Sequence, residues 1–182
     1  MIKVIALMGK AGSGKDTILT ALTHRYSNEY NEIISCTTRP PREREIDGVN
    51  YHFLTLDEFH RKEMDGDMLE TTEFNNWYYG TALSSLLMDK VNIGVFNPAG
   101  VRSLLKNKTI DLTVYYIWAS DKERLIRQLS REQDPDVHEI MRRFTADEND
   151  FSDLSDIPYQ LIANQERDDV PLAINLITGR NN

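Results

Sequence analysis

The chain has 182 residues, 40% of them hydrophobic and 27% charged, which suits one globular domain with a buried core and excludes a disordered chain. Its 29 acidic and 21 basic residues leave a formal charge of −8, which argues against general binding to nucleic acid or to anionic membranes. A single cysteine, Cys36, excludes an internal disulfide and a cysteine metal cluster, and its place before Thr37 and Thr38 suggests buried filler at a strand end.

Met1 to Met8 is apolar except for Lys3, too short to span a bilayer and without a cleavage-site pattern, so the cytoplasm is the expected compartment. Ile2 to Met8 reads as a buried strand ended by Gly9. Thr17 to Tyr26 carries Ile18, Leu19, Leu22 and Tyr26 at helical spacing, and Ile33 and Ile34 open a second strand. Thr37 to Gly48 is a loop rich in arginine, proline and acid. Tyr51 to Leu54 predicts a strand, Leu56 to Met64 a short helix, and Met68 to Thr72 and Asn76 to Tyr79 two further strands. Ser84 to Asp89 is helical by pattern. Val91 to Phe96 is an apolar strand followed by a helix through Leu105, and Leu112 to Trp118 is another strand. Lys122 to Arg131 and His138 to Asn149 are charged helices, Tyr159 to Ala163 is a late strand, and Val170 to Ile177 is a closing helix.

Strands alternate with helices at both ends of the chain, which predicts an α/β fold with a parallel sheet wrapped by helices. Residues 36–90 break that rhythm and predict an inserted subdomain. No repeat or linker divides the chain, so a single domain is expected.

Gly9, Lys10, Ala11, Gly12, Ser13, Gly14 and Lys15 fit the G-x-x-x-x-G-K core of a phosphate-binding loop. The glycines let successive N–H groups point inward at phosphate oxygens, the following helix offers its positive end, and Lys15 adds a point charge. The alternative is a flexible glycine turn. The next residue in such loops is usually Ser or Thr, a Mg2+ ligand, but here it is Asp16, followed by Thr17. Asp16 can hold Mg2+ directly or through water, or it can merely complement the helix dipole. Arg39 and Arg42, three apart, can clamp a second phosphate with help from the hydroxyls of Tyr51 and Tyr79, or they can form a solvated face. Asp147, Glu148, Asp150 and Asp153 read as a solvated helix end.

Taken in order, the phosphate loop, Ser35 to Arg42, Asp47-Gly48 through Tyr51 to Phe53, Glu70, Tyr78 to Thr81, Arg142-Arg143 and Tyr159 to Asn164 make the chain resemble the guanylate kinase family over nearly its whole length. The resemblance implies a P-loop kinase with a core at about 1–35, 91–125 and 143–182, a monophosphate-binding subdomain at about 36–90 and a lid at about 126–142. It implies that ATP is the phosphoryl donor with Mg2+, and that GMP or dGMP accepts the phosphate. Arg39, Arg42, Tyr51 and Tyr79 would bind the acceptor phosphate, and Ser35, Glu70, Thr81 and Asn97 would read the base. Lys15, Arg39, Arg143 and the lid residue Arg131, or else Arg127, would act on the transferring phosphates. Guanine suits such a site, because a fixed carboxylate such as Glu70 can accept from its N1–H and N2–H while Ser35 or Thr81 donates to O6. The partners are then small-molecule nucleotides, with no nucleic acid or membrane, and the protein is a monomer or homodimer.

The family's Asp-x-Asp pair is missing, replaced by Val95 and Asn97. Asn97 accepts without charge, which leaves a nucleoside monophosphate kinase of different or broader base preference open, and Asp16 is expected to replace the charge that Val95 lacks. A catalytically silent relative that binds phosphorylated peptides is expected to have a degraded phosphate loop, whereas Gly9, Gly14 and Lys15 are intact here.

Overall fold

The computed structural model describes residues 1–42, 45–74, 76–131, 133–166 and 169–180. Glu43 and Arg44 of the arginine-rich loop and Glu132 of the expected lid therefore lie outside the described residues. A five-stranded parallel sheet runs in the order β2 (Tyr30–Glu32), β7 (Val91–Phe96), β1 (Ile2–Met8), β8 (Ile110–Trp118), β9 (Gln160–Ala163). The predicted parallel sheet is thus present.

The central strand β1 is apolar on both faces because helices cover both. Ile5 and Leu7 meet Ile18, Leu19 and Leu22 of α1 (Lys15–Arg25) and Ala173, Ile174 and Ile177 of α6 (Asp169–Thr178). Val4, Ala6 and Met8 face the other way, toward Val101 and Leu104 of α3 (Pro98–Lys106) and Leu69 of β5 (Met68–Phe74).

A second, four-stranded sheet has the order β4 (His52–Phe53), β3 (Cys36–Thr37), β6 (Trp77–Ala82), β5, mostly antiparallel, and α2 (Leu56–Met64) packs on it through the fully buried Phe59. The bounds of α2 follow from a capping box: Thr55 accepts from the Glu58 amide, and the Glu58 carboxylate accepts from the Thr55 amide. Cys36 is buried in this small core, as expected of filler. The two sheets meet where Leu69 joins the α3 cluster. Helices α4 (Asp121–Leu129) and α5 (Val137–Asp150) stand beside the carboxyl end of β1.

Three expectations need correction. Ser84 to Asp89 is not a helix but one 3-10 turn, Leu83–Ser85, followed by irregular chain and a turn at Met88–Asp89. The buried Asn92 side chain accepts from the Leu87 amide and donates to its carbonyl, taking the groups a helix would use. The second strand precedes Ile33 rather than beginning there, because Tyr30 to Glu32 pair with Val91 to Ile93 and Ile33 only adds one further bond to Ile93. Helix α4 stops at Leu129 instead of running to Arg131.

Candidate active site

The site lies at the carboxyl end of β1, where chain order reverses between β7 and β8; in open α/β sheets this crevice takes the ligand. Gly12 and Gly14 have φ of 81° and 88°, left-handed values that let the loop curl back on itself. Gly14 caps α1 without a side chain, so the first amides of the helix stay open toward an anion. The mostly buried Lys15 lies 3.8 Å from the exposed carboxylate of Asp16, and Thr17 is exposed beside it. Ser13 is fully buried, and its hydroxyl makes no hydrogen bond.

The outer side of this loop is gripped from outside. Lys10 pairs with Glu148. The Ala11 amide donates to Asp147 at 2.8 Å, and its carbonyl accepts from Arg124 at 2.9 Å. Asn164 donates to the Ser13 carbonyl at 2.7 Å. Arg127 donates to the carbonyls of Asn164 and Gln165 and, at longer range, of Gly12 and Ser13. Asp147 and Glu148 are therefore not merely a solvated helix end, because both hold the phosphate loop.

Across the cleft, Arg39 is buried and donates to Glu45 at 2.9 Å and to the Pro40 carbonyl. Its guanidinium lies over the rings of Tyr51 and Phe53, and Tyr51 meets Tyr79 edge to face at 6.2 Å. Burial, with Asp16 next in effect, pushes the Tyr51 phenol up to about 12, so it remains a donor. The Arg42 amide donates to Glu45, and its guanidinium reaches toward Glu139 of α5 at 3.7 Å. Glu139 also accepts from Arg142 and Arg143, at 2.6 and 2.9 Å. These bonds, with that of Arg142 foremost, hold its carboxyl at about 2. Burial, then Arg143 and Arg39, lower the Arg42 value from its ordinary one. Four arginines, Arg39 and Arg42 from one side of the cleft and Arg142 and Arg143 of α5 from the other, thus converge around Glu45 and Glu139, a cation-rich setting that suits an anion.

Deeper in, Glu70 is only 7% exposed, and burial raises its carboxyl to about 7 although the Thr81 hydroxyl and amide pull the other way. The Thr81 hydroxyl is fully buried and makes no hydrogen bond of full geometry. Half-buried Ser35 stands one residue before β3, the central neighbour of β6. Asn97 caps α3 by accepting from the Gly100 amide at 2.7 Å, and Glu70 approaches the same Gly100. The oxygen of Asn97 expected to read a base is thus already engaged.

Arg131 is exposed two residues beyond the end of α4, whereas Arg127 is spent on backbone carbonyls. Among the described residues no three His, Cys, Asp or Glu side chains stand together as a metal site. Asp16 and Thr17 are exposed oxygen donors beside Lys15, and Mg2+ keeps several waters and takes few protein ligands. Val95 packs on the α1 side of the sheet, so its place there is apolar. No described helix is long and apolar enough to cross a membrane.

A glycine loop between a parallel strand and a helix, faced by a buried arginine, further arginines and a buried carboxyl, defines a P-loop nucleotide phosphotransferase. The family profile described as guanylate kinase matches residues 1–174. Guanylate kinase of Clostridium perfringens (strain 13) is 32% identical over 171 residues, 92% of this chain and 78% of that protein. Guanylate kinase of Campylobacter jejuni (strain RM1221) is 30% identical over 168 residues, 90% of this chain and 81% of that one. The crystal structure of guanylate kinase from Anaplasma phagocytophilum superposes with a TM-score of 0.66 at 19% identity, covering 98% of this chain and 84% of that one. The chain belongs to the guanylate kinase family.

Arg124, Asp147, Glu45 and Glu139 were missed in the sequence. Local signals were available in the i, i+3 and i, i+4 spacings of Glu139 to Arg142 and Arg143, of Arg42 to Glu45 and of Asp121 to Arg124, but none reports the distant partners.

Proposed function

We propose that this protein transfers the terminal phosphoryl group of ATP to the phosphate of GMP or dGMP, giving ADP and the diphosphate. The observation that carries this reading is the buried Glu70 beside Thr81, set beyond the Arg39–Tyr51–Tyr79 cluster and opposite the phosphate loop. An ionised Glu70 accepts from guanine N1–H and N2–H, and Thr81 or Ser35 donates to O6. Arg39, Arg42, Tyr51 and Tyr79 hold the acceptor phosphate. The loop amides and Lys15 hold the donor phosphates, and Arg143 and Arg131 approach the transferring group as the segment at about 126–142 closes as a lid. Phosphoryl transfer asks mainly for positioning and for cations on the developing charge, and closure keeps water out.

Asp16 and Thr17 would hold Mg2+, which when bound neutralises charge on the phosphate oxygens. Asp16 supplies the charge that Val95 does not. The 36–90 segment is the monophosphate-binding subdomain in this reading, and the protein works on free nucleotides in the cytoplasm.

The second reading, broader base preference, is favoured by one observation: the Asn97 oxygen caps Gly100 and brings no charge. A coupled ADP-release assay over GMP, dGMP, AMP and CMP separates the two. The guanine reading expects GMP and dGMP to lead by orders of magnitude, and equal rates for AMP, CMP and GMP overturn it.

A further inference from the structure

Ala11 sits midway along the phosphate loop, beside the left-handed Gly12, and both of its backbone groups are taken by side chains far away in the chain. Its amide donates to Asp147 Oδ2 at 2.8 Å, and its carbonyl accepts from Arg124 Nε at 2.9 Å. Arg124 Nη2 donates to the same Asp147 oxygen at 2.6 Å, so the three residues close a ring. Arg124 is only 1% exposed, has a third acceptor in Asp121, and lies over the Phe144 ring at 4.4 Å. Its own backbone carbonyl abuts Gly12, 2.7 Å from where a Cβ would stand.

We propose that Arg124 and Asp147 are a positioning pair for ATP, fixing the Ala11 backbone so that the loop amides are aimed before the phosphates arrive. This rests on the ATP-binding reading above and goes beyond it, because neither side chain touches nucleotide in that reading. A glycine-rich loop samples many conformations, and each residue ordered only on binding subtracts from affinity. The pair removes that freedom in advance. A lone carboxylate at a phosphate loop would repel the ligand, but Arg124 neutralises it, so the pair and not either residue is the working unit. Arg124 stands on α4 and Asp147 on α5, the two helices that flank residues 130–136.

The test uses the full chain with Arg124→Lys, Asp147→Asn and the double variant. ATP affinity is measured by calorimetry without acceptor, and KM for ATP and for GMP by steady-state assay. The expected result is a rise of about tenfold or more in Kd and KM for ATP in Arg124→Lys, which loses the guanidinium fork, with KM for GMP within about twofold. Asp147→Asn keeps an acceptor for the Ala11 amide and is expected to fall between Arg124→Lys and wild type. The double variant is expected to match the worse single one. Folded variants with unchanged ATP affinity, an equal rise in both KM values, or additive effects would overturn the proposal. If Arg124→Lys does not fold, the near-isosteric Asp147→Asn decides by the same readouts. A wild type that binds ATP but does not phosphorylate GMP sinks the proposed function and leaves this inference to be judged on ATP affinity, whereas a wild type that binds no ATP sinks both.

Discussion

Replacing Glu70 by Gln separates two consequences of burying one carboxyl. Burial lifts Glu70 from the ordinary 4.5 to about 7. At 1.36 kcal/mol per pH unit, that displacement corresponds to about 3 kcal/mol by which the fold disfavours the ionised form. The sign follows from linkage. A carboxyl raised in the folded state contributes its stability fully below its unfolded value near 4.5 and loses it as pH rises through about 7. Glu70→Gln should therefore gain stability relative to wild type between pH 5 and pH 8, by about 2–3 kcal/mol on top of any offset that is independent of pH. Urea unfolding at several pH values measures the difference, in which all other titrating groups cancel. The same variant should bind GMP about 10- to 100-fold more weakly at pH 8, because a charge-assisted pair of bonds is lost. Wild-type affinity for GMP should fall by up to tenfold per pH unit below 7, more steeply than that of the variant, in which only the nucleotide phosphate still titrates. A stability difference that does not change with pH would refute the burial argument. Unchanged GMP affinity in the variant would refute the assignment of Glu70 to the base.

Gly12→Ala places a Cβ against the Arg124 carbonyl at a φ of 81°, so it should weaken ATP binding at least tenfold by calorimetry and lower stability by about 1–2 kcal/mol. Arg42→Lys removes a fork that faces Glu45 and Glu139 and should raise KM for GMP about tenfold or more while KM for ATP holds, as a two-substrate kinetic matrix would show. Asp16→Ser should raise the Mg2+ concentration needed for half-maximal turnover and depress the maximum, and an unchanged Mg2+ titration would remove Asp16 from the metal's surroundings. Phe59→Ala empties the core under α2 and should cost about 3–5 kcal/mol in urea unfolding.

What the sequence disclosed and what it hid follow one physical line. Strands β1 and β7 were legible end to end because they are buried on both faces and read as apolar runs, each interrupted by a single polar residue, Lys3 or Asn92. Helix α2 was legible to the residue because Thr55 and Glu58 write its start in adjacent side chains. The phosphate loop was legible because its glycines act through backbone geometry and its lysine through a side-chain charge, all at fixed spacing. The false helix at Ser84 to Asp89 failed because the Asn92 side chain, several residues on, competes for the Leu87 backbone. The acids at the end of α5 were misread because charge pattern reports exposure, whereas the partner of Asp147 is 136 residues away in the chain. Likewise the meeting of Arg42 with Glu139 depends on packing between two halves of the cleft, which no window of sequence contains.

Transfer from ATP to GMP is distinguishable from ATP hydrolysis and from simple binding. Phosphorus-31 NMR of the pure protein with ATP, Mg2+ and GMP tests it most directly, since donor, acceptor and products are seen at once. GDP and ADP should grow in equal amounts, with no inorganic phosphate and no reaction when GMP is replaced by AMP. ATP consumed to inorganic phosphate, or turnover indifferent to the base supplied, would contradict it.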